Sequence, residues 1–380
     1  MKENKRFVLI VPLYSSFKIF FEDLCLEMVK KNWEVTVITN LPSDFNSQET
    51  RISCEHLEIP RKLQILNYIK ASRQLKKIIN DLSPTLIHAH FQAAALVTRL
   101  CSFKNIKLQT TSHGLIYNIK KSWISRYLFK HIELFIYKRF DTVWVLNKLD
   151  YDALNKKISN VRLYPTKGLG CNIEDFEPNN FTAKADTALK DIHRINHTDF
   201  LLIFVGRLTN FKGFDIAVRS FFLLKKKYKN IKFLVLGDLD PIHPSGLTEN
   251  ELDQYNNDCS ILKLGFSNEV NKFLSIADLL VFPSVKEGMP VNLMEAISMG
   301  VPFITLNSRG CADIADNQKY GSILEHQSVA DLLLEIEKLY LNPKLLDEIR
   351  ERQLSDRELF DRKHFIKYQI DDYEQEILIV

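Results

Sequence analysis

Two stretches of this 380-residue chain place side chains where they could do chemistry. The first is Phe282–Pro302, FPSVKEGMPVNLMEAISMGVP. A buried strand is expected to end at Phe282, and a loop with Glu287, Gly288 and Met289 follows. Pro290 suits the first turn of a helix, where its missing N–H would be unpaired in any case. Gly300 suits the C-terminal cap of that helix, and Pro302 stops it. Glu287 is then expected over the helix N-terminus and Glu295 in the second turn. A helix N-terminus attracts anions through its free N–H groups and its dipole. Carboxylates on either side can accept hydrogen bonds from hydroxyls, so the arrangement suits a sugar attached to a diphosphate. The second stretch is Val205–Gly213, VGRLTNFKG, between an apolar run and a helical pattern. Arg207 and Lys212 would meet a diphosphate there, Arg as a fork and Lys as a point charge. Gly206 and Gly213 allow tight turns and close approach.

Three further constellations carry weaker signals. His113 in TTSHGLIY follows a strand pattern and precedes Gly114. That puts it at a carboxyl edge, where a proton exchange or a hydrogen bond to a phosphate would be possible, against a capping or packing role. His88 and His90 alternate at a strand end, but no third ligand stands at a telling spacing, so they read as structural histidines. Asp238-Leu239-Asp240 has the D-x-D spacing that can hold a divalent cation on a diphosphate. The Arg207/Lys212 pair already supplies positive charge, so neither a metal nor another cofactor is expected.

The elements that would position these residues alternate. Phe7–Val11, Trp33–Thr39, Pro84–His88, Leu108–Ser112, Asp141–Leu146 and Val161–Tyr164 read as strands, interleaved with helical patterns such as Phe17, Phe20, Phe21, Leu24 and Met28. Residues 174–198 are polar and break the pattern. It restarts with Leu201–Val205, Ile231–Leu236, Asp278–Phe282 and Pro302–Leu306. The expected class is α/β, as two tandem Rossmann-like, doubly wound domains with an interdomain cleft. The expected boundaries are 1–173 for an N-terminal domain, 174–198 for a linker region and 199–360 for a C-terminal domain. Residues 361–380 carry Ile366, Ile370, Tyr373 and Ile377 on one helical stripe and could return to the first domain.

Composition narrows the classes further. Only 12 residues are glycine, against an average near 7%, and the first is Gly114. A G-x-G-x-x-G after the first strand and a Walker-type phosphate loop are both excluded. The six cysteines lie far apart with no C-x-x-C pair, which suits a reducing cytosol. No apolar run approaches the length of a membrane span, and the N-terminus reads as a first strand and not a signal peptide. The formal net charge of +4 is unevenly spread: residues 1–165 carry 26 Lys and Arg against 14 Asp and Glu. Such a basic half could face an anionic surface or could be an ordinary solvated one. Asn118–Phe140 is aromatic and basic, with Glu133 its one acidic residue, as in an interfacial helix. Its Lys120, Lys121, Arg126 and Lys130 spread around the helix axis, which argues against a clean amphipathic face.

The text VGRLTNFKGFDIAV, then VFPSVKEGMPVNLMEAISMGVPFIT with NSRGCADI behind it, resembles the GT-B glycosyltransferases of glycosyltransferase family 4. The likeness is closest to bacterial enzymes that build capsule, O-antigen and other lipid-linked oligosaccharides, in which an acidic-proline hairpin like Gly237–Thr248 recurs. It is strong over residues 200–320 and looser over 1–170. It implies a retaining transfer from a nucleotide sugar, with UDP the expected nucleotide, to a lipid-linked saccharide at the cytosolic membrane face, and no nucleic-acid partner. It implies that Gly206, Arg207 and Lys212 hold the donor diphosphate. Glu287, with Gly288, Met289, Pro290 and Val291, would hold the donor sugar, and Glu295, Phe266 and Ser267 the ribose and base. His113 and Glu287 would be catalytic. Ser15 and Ser16 stand where this family commonly has a glycine-rich turn, and with Tyr117 they are expected on the acceptor side. A sugar-nucleotide 2-epimerase of the same architecture, or a non-catalytic sugar-nucleotide-binding subunit, is the alternative.

Overall fold

The structure, a computed structural model, describes residues 5–46, 52–60, 64–117, 122–240, 245–248 and 258–378. The chain forms two compact units, residues 1–169 with 364–380 and residues 170–363. In the first unit the strands are β1 (Arg6–Leu13), β2 (Glu34–Asn40), β3 (Ser53–His56), β4 (Leu86–His90), β5 (Lys107–Ser112), β6 (Thr142–Val145) and β7 (Val161–Leu163). They pair in parallel in the order β3-β2-β1-β4-β5-β6-β7. Phe7 to Val11 of β1 are all buried, because helices cover both faces of a parallel sheet and leave no side of the strand to water. The second unit holds β8 (Phe200–Val205), β9 (Ile231–Leu236), β10 (Ile261–Gly265), β11 (Leu279–Phe282), β12 (Phe303–Leu306) and β13 (Gly321–Leu324), in the order β10-β9-β8-β11-β12-β13.

In both sheets the strand order reverses once, between β1 and β4 and between β8 and β11. Open parallel sheets bind ligands outside the carboxyl ends of the strands at such a reversal. The chain segments leaving β1, β4, β8 and β11 are therefore the places to look for a site.

Two parts of the expected domain organisation are corrected. Residues 174–198 are not a linker: they belong to the second unit and include the helix Ala183–Ile192. Glu177 pairs with Arg357, the Phe176 carbonyl accepts from the Ser298 hydroxyl, and Asp186 accepts from Ser275. Polar residues fill this stretch because it is tied down by hydrogen bonds and ion pairs more than by apolar burial. The first unit ends at Leu169 and not at residue 173. The closing helix, Arg362–Leu378, packs on the first sheet. Its Asp372 binds Arg162 and Gln109, and its Tyr373 and Gln369 bind His88 and Tyr164.

The stripe from Phe17 to Met28 is two helices, Tyr14–Phe20 and Glu22–Lys30, broken at Phe21. The helix Trp123–Tyr137 buries Glu133, Ile136 and Tyr137. Its outer side exposes Trp123, Ile124, Tyr127, Leu128 and Phe135. An apolar exposed stripe is thus present although the basic residues do not define one; Lys120 and Lys121 lie outside the described residues. No helix among the described residues is long and apolar enough to cross a membrane, and no disulfide joins the cysteines.

Candidate functional site

The second unit brings Lys212 and Glu287 together. Lys212 lies in a short turn, Asn210–Lys212, just after β8, and Glu287 in the loop after β11. The Lys212 ammonium donates to the Glu287 carboxylate at 2.5 Å, with both side chains about 15% exposed. The same Oε1 accepts from the Ser284 hydroxyl at 2.6 Å. Lys212 also stands 5.4 Å from the centre of the Phe282 ring. Two glycines permit this meeting. A Cβ on Gly213, where φ is 80°, would sit 2.5 Å from the Pro283 carbonyl oxygen. One on Gly310, at φ 79°, would sit 2.6 Å from that of Gly288. The Glu287 N–H donates to the Arg309 carbonyl in the same turn.

Arg207 takes a different partner. It is half exposed and donates to Asp240 at 2.5 Å. Asp238 accepts from the backbone N–H of Phe266 at 3.2 Å. The two D-x-D carboxylates are thus committed separately, one orienting Arg207 and the other fixing the turn after β10. Among the described residues no group of His, Cys, Asp and Glu is arranged to hold a metal ion. Phe266 is 63% exposed, and the Ser267 hydroxyl accepts from the Glu269 N–H. The segment around residue 245 pairs with the Arg207–Lys212 loop: the Asn210 N–H donates to the Ser245 carbonyl, and the Leu247 N–H to that of Leu208.

The helix after the Glu287 loop runs from Val291 to Met299, with Pro290 as its N-cap and Gly300 closing it at φ 68°. Met289 packs against the core, and Gly206 follows β8 directly. Glu295 is half-buried, and its carboxylate makes no hydrogen bond or ion pair among the described residues. Burial pushes its pKa up to about 7, with Arg362 pulling the other way. It is an acceptor without a donor, and no bond joins it to Glu287.

The first unit gathers a second group of residues at the ends of β4 and β5. His113 lies one residue past β5, stacked on Phe91 at 3.9 Å between ring centres. Its Nε2 is 3.1 Å from Nδ1 of His90. Burial holds the His113 imidazole down at about 3, so it is neutral near pH 7. The loop beyond it is gripped by two carboxylates. Glu133 accepts from the N–H groups of Ile116 and Tyr117 at 2.8 and 3.2 Å, and Asp150 accepts from that of Leu115 at 3.3 Å. Gln92 donates to both Glu133 and the Gly114 carbonyl. Burial pushes the Glu133 pKa up to about 7 against these hydrogen bonds.

Ser15 and Ser16 lie in the first turn of Tyr14–Phe20, and neither caps it, because the helix begins straight after β1. Tyr14 packs its ring on Phe17 and Phe45, so aromatic side chains occupy the surroundings of this glycine-free turn. Four residues that matter to these arrangements escaped the sequence reading. Ser284 and Gln92 give no sequence signal. Glu133 was legible only as a lone acid in a basic helix, and His90 only through its parity with His88.

Comparison with known proteins bears on both units. The profile of Glycosyltransferase Family 4 matches residues 19–162, and that of Glycosyl transferases group 1 matches residues 186–355. The capsular polysaccharide biosynthesis glycosyltransferase CapM of Staphylococcus aureus is 22% identical over 330 residues, 84% of each chain. The UDP-Gal:alpha-D-GlcNAc-diphosphoundecaprenol alpha-1,3-galactosyltransferase of Escherichia coli is 23% identical over 273 residues, 70% of this chain and 68% of that one. Among solved structures, sucrose-phosphate synthase from Thermosynechococcus elongatus superposes with a TM-score of 0.84 at 19% identity, covering 99% of this chain and 100% of its own. Anabaena HepE in complex with UDP and glucose superposes with a TM-score of 0.78 at 15% identity, covering 97% and 99%.

The grip on residues 115–117 yields a direct test. In Glu133→Gln one carboxylate oxygen becomes an NH2 group, which turns a donor toward an N–H that needs an acceptor. Hydrogen–deuterium exchange of the amides of Ile116 and Tyr117 is expected to rise about tenfold or more, the loss of one charge-assisted hydrogen bond of roughly 1.5–3 kcal/mol. Glu133 holds its proton more tightly folded than unfolded. Its own contribution to stability is therefore greatest below its ordinary value of 4.5 and declines as the pH rises through about 7. The grip itself needs the ionised form, so protection of these amides should weaken as the pH falls through that value.

Proposed function

The chain belongs to the GT-B glycosyltransferases, with a family 4 domain followed by a group 1 domain, and from that premise we propose that it moves a sugar from a UDP-sugar to a lipid-linked saccharide in bacterial surface polysaccharide biosynthesis. The Lys212–Glu287 pair is the observation that carries the reading. It sets a cation for a diphosphate beside a carboxylate for sugar hydroxyls, at the carboxyl ends of adjacent strands where such ligands bind. Arg207, held by Asp240, adds a second charge for the diphosphate, and no metal is needed to neutralise it. Glu295, an acceptor lacking a donor, takes the ribose hydroxyls, and Phe266 and Ser267 border the base. The uridine nucleotide and the lipid-linked acceptor are supported by the names of HepE's ligand and the Escherichia coli relative's substrates.

The transfer proceeds with retention. The bond from the sugar's anomeric carbon to the phosphate oxygen breaks, and a bond from that carbon to the acceptor oxygen forms on the same face. The acceptor's proton passes to the departing phosphate, so UDP leaves carrying it. The anomeric carbon develops positive charge as the phosphate gains negative charge, and Lys212 and Arg207 stabilise the latter in the transition state. His113, neutral at physiological pH, contributes a hydrogen bond and not a charge.

A thermal-shift screen of nucleotides and an assay with radiolabelled UDP-sugars and a lipid-diphosphate saccharide test this reading. Stabilisation by UDP is expected, as is incorporation of label into lipid. Lys212→Ala and Glu287→Ala should each cut kcat/KM by at least about a hundredfold, the scale of losing one preorganised group that stabilises charge in a transition state. Unchanged transfer in either variant would sink the site. Release of free monosaccharide without incorporation would point to the epimerase.

The ribose assignment has a pH signature. An ionised Glu295 accepts two hydroxyls better than a protonated one, so UDP affinity measured by calorimetry should fall as the pH drops through about 7. Glu295→Gln should weaken binding and remove that dependence.

The acceptor implies work at a lipid surface, and the exposed stripe Trp123, Ile124, Tyr127, Leu128 and Phe135, with Arg126 beside it, suits an interfacial helix. Trp33 and Trp144 are buried and Trp123 is 77% exposed. Vesicles containing anionic lipid should therefore shift tryptophan fluorescence to the blue through Trp123. Leu128→Ser should weaken the binding, and neutral vesicles should produce a smaller shift.

A further inference from the structure

The end of β4 carries two histidines on one side of the strand, and the proposed mechanism uses neither. The rings of His88 and His90 stack at 4.1 Å with 21° between their planes, and both are fully buried. His88 is satisfied at both nitrogens, by Tyr373 at 2.5 Å and Thr111 at 2.8 Å. His90 is not. Its Nδ1 meets Nε2 of His113 at 3.1 Å, while its own Nε2 is buried with no hydrogen-bond partner. Phe21 lies against that ring, 4.1 Å between centres.

The contact between His90 and His113 joins two nitrogens, and a hydrogen bond needs one proton between them. Both rings are neutral, since burial lowers the pKa of each. Only two arrangements follow. If His113 donates from Nε2, His90 must carry its single proton on its own Nε2, which buries an N–H with no acceptor. If His90 donates from Nδ1, its Nε2 is a bare lone pair, and the proton of His113 sits on Nδ1. Orphaned buried N–H groups are rarer in folded proteins than under-satisfied acceptors, so the second arrangement prevails. Nδ1 of His113 has no hydrogen-bond partner among the described residues, and His113 is only partly buried.

We infer that His90 is a positioning residue that locks His113 in the Nδ1–H tautomer, so that His113 offers its ligand a hydrogen-bond donor and cannot act as a general base there. The consequence for chemistry rests on the reading that His113 touches the transferred sugar or its phosphate; the tautomer does not. Phe91 helps hold the geometry. It is a non-glycine residue in the left-handed region, φ 69°, and that backbone sets its ring flat against His113. Strain of this kind persists where the surroundings enforce it and clusters at functional sites. A donor at this point suits a phosphate or hydroxyl oxygen, and it leaves the acceptor's proton to the departing phosphate.

Ring-nitrogen NMR of the full chain labelled with 15N-histidine tests the inference without any ligand, with His113→Gln assigning the resonance. The expected spectrum has His113 protonated at Nδ1 and bare at Nε2. A proton at Nε2 overturns the proposal. His90→Asn retains an amide N–H close to the position of Nδ1 and should preserve the tautomer, with transfer within about threefold of the parent. His90→Phe removes the donor and should give a mixture of tautomers, with kcat down about tenfold and the donor KM little changed. An unaltered His113 spectrum in His90→Phe also overturns it, and the parent and His90→Asn spectra decide the matter if His90→Phe does not fold. Absence of any transfer, with the Nδ1–H tautomer present, would count against the glycosyl transfer reading and leave the tautomer lock standing.

Discussion

The second unit's candidate site depends on one ion pair between loops far apart in sequence. Lys212 follows β8 and Glu287 follows β11, and these strands are neighbours because the sheet order reverses between them. Taking an ammonium and a carboxylate out of water costs several kcal/mol each, and their attraction roughly repays it. The pair therefore adds little net stability. Its effect is placement, since each charge holds the other where two loops leave the sheet. The Ser284 hydroxyl and the close packing at Gly213 and Gly310 leave the loops few alternatives. Arg207 is oriented by the same means, through Asp240.

The first unit solves a similar placement problem with hydrogen bonds to the backbone. Three consecutive N–H groups, of Leu115, Ile116 and Tyr117, point at carboxylates, where a buried loop would otherwise leave them unpaired. Glu133 reaches them from the inner face of the helix whose outer face is the apolar stripe. One helix thus serves both the His113 loop and the exposed surface, which explains a buried acid in an otherwise basic segment.

Most of the parallel sheet was legible because strands covered on both faces must be apolar throughout, as in FVLIV and LLIFV. The strands that escaped are at or near sheet edges. β3 has no fully buried residue, β10 buries only Ile261, and β13 begins with glycine. With one side open, they lack the continuous apolar run. Residues 174–198 misled for the opposite reason, since a segment secured by polar contacts reads as a linker. The glutamate and lysine loops were legible through proline and glycine punctuation, which marks where a strand becomes a turn and then a helix. Their mutual contact was not, because nothing in a linear sequence says that β8 and β11 are neighbours. The partners of Arg207 and His113 escape for the same reason: in the sequence Asp240 reads as half of a D-x-D pattern and His90 as a structural histidine.

The two groups of residues differ in the kind of electrostatics they use. The second unit concentrates formal charge and balances it in pairs, Lys212 with Glu287 and Arg207 with Asp240. The first unit's group has no formal charge at its centre: burial keeps His88, His90 and His113 neutral. A charged residue binds a diphosphate strongly, but it would bind the released nucleotide strongly as well. Neutral donors distinguish less by charge and more by direction, because a hydrogen bond weakens steeply when misaligned. On the proposed reading, that division accounts for the support given to the one imidazole of His113. A cation attracts its ligand from any angle, whereas a neutral N–H is useful only if its tautomer, ring plane and loop are all fixed. Here His90, Phe91 and Glu133 restrain those three features, one each.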